Sequence, residues 1–122
     1  MTEAQLIVQN IGGVSVVDLS DASILDGPTI QTIARRLYAL VDEQAQRKIL
    51  LVFSRVRFLS SSMLGVLIEM RKRSQAIRGR VAICGLRPEL RKVFRITRTE
   101  KMFEFHDAEE PALNSFGVYT SP

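Results

Sequence analysis

Among its 122 residues the chain has one cysteine, one histidine and no tryptophan. A lone cysteine, Cys84, forbids an intramolecular disulfide, so the fold has to stand on its apolar core, and the reducing cytosol is the simplest compartment. Within the apolar run Val81-Ala82-Ile83-Cys84 it reads as a buried thiol rather than a nucleophile. His106 stands alone, with neither a His-Glu-x-x-His pair nor paired cysteines, and no glycine-rich phosphate loop is present. No cofactor or metal is therefore expected. No run approaches the length of a membrane span, and Met1 to Gln5 lacks the positive flank and apolar stretch of a signal peptide. These absences predict a cytoplasmic protein without membrane contact.

Positive charge is missing from the first 34 residues, which hold Glu3, Asp18, Asp21 and Asp26. All 17 basic residues lie between Arg35 and Lys101, with only Asp42, Glu43, Glu69, Glu89 and Glu100 among them. Such a surplus suits nucleic acid, a membrane surface or an acidic protein, or it is a solvated basic face. Few aromatics, and no aromatic-basic strand pattern on which bases would stack, weigh against nucleic acid.

What is present builds one α/β domain. A hydrophobic fraction of 46% supports a single core at this length. The β-branched runs Gln5 to Gln9 and Val14 to Leu19, joined through Gly12-Gly13, predict a hairpin. Ile30, Ile33, Ala34, Leu37, Leu40 and Val41 recur at helical spacing from Pro28 to Gln46. Lys48 to Phe53 is continuously apolar, as in a central strand covered on both faces. From Ser61 the row Met63, Leu67, Met70, Ser74 and Ile77 predicts a helix that Gly79 stops. A strand from Arg80 to Cys84, a helix opening at Pro88, a strand from Met102 to His106 and a helix from Glu109 to Phe116 complete the chain. The order β-β-α-β-α-β-α-β-α implies a mixed sheet of about five strands, occupying residues 5–116 as one domain between loose ends at 1–4 and 117–122.

The segment richest in chemistry is Phe58-Leu59-Ser60-Ser61-Ser62-Met63-Leu64-Gly65, where an apolar strand is expected to meet a helix through three hydroxyls. One serine there serves as a helix cap, worth about 1 kcal/mol. Three exceed the need of one cap. The same place tolerates a phosphate, because free N–H groups and the positive dipole end favour negative charge. His106 beside Asp107 is the only catalytic alternative, and no nucleophile lies near it in sequence.

This segment resembles the strand-to-helix motif of the STAS family of anti-sigma factor antagonists, an apolar pair followed by Asp-Ser-Ser/Thr-Gly-Leu-Gly. Ile24-Leu25-Asp26, Leu86 to Phe94, and Ile96-Thr97 through Lys101-Met102-Phe103 resemble further family segments, so the likeness runs from about Gln5 to Leu113. It implies a non-enzymatic protein that binds an anti-sigma factor which is also a serine kinase, with phosphorylation of Ser61 weakening that binding and Ser62 as the alternate acceptor. Asp26, Ser60, Ser61, Ser62, Met63 and Leu64 are the partner-facing residues so implied. A phosphatase that resets the switch, and a monomer or weak dimer, complete the expectation. Ser60 stands where the family has aspartate, Met63 and Arg98 where it has glycine. A working switch and a non-switching scaffold of a sensory assembly both remain open, as does anion or nucleic-acid binding through the basic section.

Overall fold

The structure is a computed structural model that describes residues 6–19 and 27–119. Strands β1 (Leu6–Ile11) and β2 (Val14–Leu19) pair as an antiparallel hairpin. Gly12 and Gly13 close it at φ 58° and 89°, values that a two-residue hairpin turn requires and that side chains resist. Strands β3 (Lys48–Val52), β4 (Arg80–Cys84) and β5 (Glu104–His106) then add in parallel, so the sheet order β1-β2-β3-β4-β5 follows the chain.

A sheet wound in one direction through right-handed crossovers carries all its crossover helices on one face. That face holds α1 (Gly27–Asp42), α2 (Ser61–Ala76) and α3 (Pro88–Ile96). Their Ile33, Leu37, Leu67, Met70 and Phe94 meet Val17, Ile49, Leu51 and Ile83 of the strands in the larger core. The other face needs a separate cover. It comes from α4 (Glu109–Ser115), whose Ala112 and Leu113 pack with Phe116 on Val16, Leu50, Val52, Ala82 and Cys84. Alternate residues of β3 therefore enter different cores, which is why that strand reads as an unbroken apolar run.

Several boundaries differ from the sequence expectation. The first helix ends at Asp42 rather than Gln46, because its last bonds widen to Gln44 N–H on Ala39 C=O and Gln46 N–H on Leu40 C=O while Ala45 takes φ 51°. No glycine marks that exit. The strand expected from Met102 is a 3-10 turn over Glu100–Met102 before β5 starts at Glu104. Residues 54–60 contain no strand. The left-handed residue ending α2 is Arg78 at φ 59°, not Gly79. Gly79 answers a different demand: a Cβ there would stand 2.5 Å from the Ser74 hydroxyl and 2.9 Å from the Arg47 carbonyl.

Residues 1–5 and 120–122 lie outside the described residues, as does the Ile24-Leu25-Asp26 segment. Gly117 and Val118, expected to be loose, are tied down by N–H bonds to the Asn114 and Leu113 carbonyls. Val118 also packs on the smaller core. No helix of the described residues is long and apolar enough to cross a membrane.

Candidate partner-binding site at the start of α2

The chain leaves β3 through Phe53, fully buried, whose N–H bonds the Cys84 carbonyl at 2.9 Å. Val56, also fully buried, folds the loop back with its N–H on the Phe53 carbonyl at 3.0 Å. Gly85 lets the neighbouring loop close in, since a Cβ there would run into the Ser54 hydroxyl. Two apolar anchors and one close approach thus hold the segment that delivers the serines to the helix.

Ser60 has extended backbone angles and its hydroxyl accepts the Met63 N–H at 3.1 Å, while its carbonyl accepts the first helical bond from Leu64 N–H. It is the helix cap, as its position before the apolar row suggested. Ser61 and Ser62 are the first two helical residues, exposed, and their hydroxyls make no hydrogen bond among the described residues. The Ser61 and Ser62 N–H groups have no partner within the helix, as the geometry of a first turn dictates. No acidic side chain stands in that turn, so the positive dipole end is uncompensated.

Met63 and Leu64 correct the expected partner face. They are 1% and 5% exposed and belong to the larger core. Residues three and four places past a cap turn toward the sheet when the first two face outward, so the pair anchors the helix and cannot touch a partner. Asp26 falls outside the described residues.

Two surface features went unnoticed in the sequence. Phe58, expected inside a strand, is 51% exposed just before the cap. Gly65, four residues after Ser61, is exposed and would meet nothing within 4 Å if it carried a Cβ. A mid-helix glycine with ordinary backbone angles and free space costs stability without a packing return. Its effect is bare helix surface one turn from Ser61 and Ser62. The signal for Phe58 was its setting between Arg57 and the Leu59-Ser60 step into the serine run, without the alternation a strand would show.

The strand ends near this edge bring Cys84 beside His106, a pair the sequence did not connect. The thiol is buried, and burial, with the Glu109 and Asp18 charges behind it, pushes it up to about 12. It therefore stays protonated at neutral pH and cannot serve as a nucleophile. The structure holds no group of three or more metal-ligating side chains among the described residues.

The STAS domain family profile matches residues 5–112. The chain belongs to the STAS family. It is 25% identical over 112 residues to the candidate anti-sigma factor antagonist BtrV of Bordetella bronchiseptica, covering 92% of this chain and 94% of that protein. Its fold matches that of an anti-sigma-factor antagonist (STAS) domain protein from Planctomyces limnophilus, with a TM-score of 0.81, 22% identity and coverage of 93% and 98% of the two chains. It also matches the phosphorylated form of the Bacillus cell-fate determinant SpoIIAA, with a TM-score of 0.72, 21% identity and coverage of 92% and 99%. In this STAS domain the serine run occupies the start of α2, at the edge of the sheet where the parallel strands end.

Proposed function

We propose that this STAS domain is an anti-sigma factor antagonist whose α2 N-terminus binds an anti-sigma factor that is also a serine kinase, and that phosphorylation of Ser61 switches the contact off. The observation that carries the reading is the division of labour in the serine run. Ser60 is committed to the cap, whereas Ser61 is exposed, unbonded and at the positive end of the helix. A phosphate on Ser61 would find free N–H groups and a favourable dipole, so the helix would tolerate it. About two added charges would meet the incoming surface instead, where desolvating them opposes binding.

The relatives support the same direction. BtrV carries the antagonist's name, and SpoIIAA, which shares this fold, has been solved both with and without phosphate. Ser60 in place of the family's aspartate keeps a capping oxygen while removing a negative charge from beside the acceptor. Phe58 and the surface opened by Gly65 would form the apolar part of the contact. The site would act in the cytoplasm, with a phosphatase to reset it.

Incubation with the cognate anti-sigma kinase and ATP is expected to add one phosphate, mapped to Ser61 by fragment mass. Ser61→Asp is expected to weaken binding to the kinase by about tenfold or more. Full phosphorylation of the Ser61→Ala variant would refute the assignment. Tight binding with no phosphate added would point to the constitutive scaffold instead.

A further inference from the structure

At the far end of α2 from the serine run, a cleft of about 240 Å³ opens between the helix, the start of β4 and the 3-10 turn before β5. Arg71, Ser74, Gln75, Gly79, Arg80 and Lys101 are among the residues lining it. Its charge is unevenly spent. Arg80 donates to both carboxylate oxygens of Glu104, at 3.0 and 2.6 Å, and that pair is internally neutral. Arg71 and Lys101 make no ion pair among the described residues, which leaves two uncompensated cations at the cleft.

Ser74 supplies an independent pointer. It is 1% exposed, and its hydroxyl is buried with no protein partner, a state that costs free energy unless something else accepts or donates. It lies against Gly79, where a Cβ would stand 2.5 Å from the hydroxyl. The strand start is fixed in turn by the Arg80 N–H on the Arg47 carbonyl at 2.7 Å. A second cleft of about 310 Å³, lined by Arg95, Arg98, Glu100 and Lys101, shares Lys101 with the first.

We infer that this cleft is a binding site for a small phosphate-bearing anion. Two free cations match a dianion, and a tetrahedral oxyanion accepts bonds from a guanidinium, an ammonium and a hydroxyl at once. The volume is below that of drug-sized ligand pockets, so the ligand is a phosphate group with a small body. The inference stands apart from the reading of the serine run, because it uses the opposite end of the helix.

The test is a titration of the isotope-labelled full chain with inorganic phosphate and with pyrophosphate, at constant ionic strength, followed by amide NMR. Saturable shifts are expected at Gln75, Gly79 and Lys101, with Ser61 and Ser62 unmoved. Arg71→Gln combined with Lys101→Gln should weaken the apparent affinity by about tenfold or more. Ser74→Ala should weaken it while leaving the thermal stability of the ligand-free chain at or above the parent's, since it removes a buried hydroxyl that bonds nothing in the protein. Arg36→Gln with Lys92→Gln should bind as the parent does. Shifts that never saturate, or a control pair that loses as much as the Arg71, Lys101 pair, would mean an adventitious ion only and overturn the assignment. So would a Ser74→Ala variant that binds as the parent does.

Discussion

At its first turn α2 carries no charged side chain and leaves two serine hydroxyls in solvent, whereas its last turns hold Arg71, Lys72 and Arg73 and are fastened to α1. The fastening is Arg73, which bonds Asp42 at 2.6 Å and Glu69 at 2.9 Å while its guanidinium lies 4.0 Å over the Tyr38 ring. The Glu69 hydrogen bond holds the arginine above its ordinary range and the glutamate below its own. Toward α1 the far end thus has its partner within the chain through Arg73, whereas the outer surface of the first turn has none among the described residues. A surface without internal commitments can change its charge and leave the fold intact. Between the two ends the inner face of the same helix, through Met63, Leu67 and Met70, belongs to the core.

If that division is right, substitutions along one helix separate stability from binding. Leu67→Ala, a fully buried position, should cost about 2–5 kcal/mol in urea unfolding; a loss well under that range would mean the helix is loosely held. Ser60→Ala should cost about 1 kcal/mol by removing the cap, with the Ser61 hydroxyl still available to a kinase. Gly65→Ala has the opposite sign, stabilising by up to about 1 kcal/mol through helix propensity while weakening the partner complex by covering the bare surface one turn from Ser61. A variant both more stable and equally well bound would break the link between that glycine and the contact. Arg73→Gln should change least: its carboxylate partners Asp42 and Glu69 keep 47% and 43% of their side chains in solvent, and the urea midpoint should stay close to the parent's, the more so at high salt.

The sheet and its helices were readable because their signals were periodic. The two-residue glycine turn, the doubly covered β3 and the apolar row of α2 each follow from one geometric rule applied to consecutive residues. Exits were harder to read. Ala45, Arg78 and Arg98 all adopt positive φ without being glycine, and the Arg78 and Arg98 N–H bonds to the Gln75 and Arg95 carbonyls that close two of these exits are announced by no local pattern. At the candidate site, the cap at Ser60 and the exposure of Ser61 were legible. The burial of Met63 and Leu64 was not weighed against the partner face, although the helical row that included Met63 already pointed it inward. The unpartnered Ser74 hydroxyl could not be foreseen, because it depends on Gly79 and Arg47 arriving from another part of the chain.

Because the strands stand in the sheet in the order in which they occur in the chain, every new strand joins the edge formed just before it. Growth in one direction means that each strand needs only a neighbour already made, which lets a nascent chain consolidate as it leaves the ribosome. The hairpin can form first, then β3. The helix that bears the serine run has its supporting surface complete only when β4 docks, so a chain interrupted before Arg80 would present those serines on an unsupported helix. If Ser61 is the acceptor proposed above, a kinase that reads the folded helix would pass such fragments over, and the phosphate would fall on finished molecules.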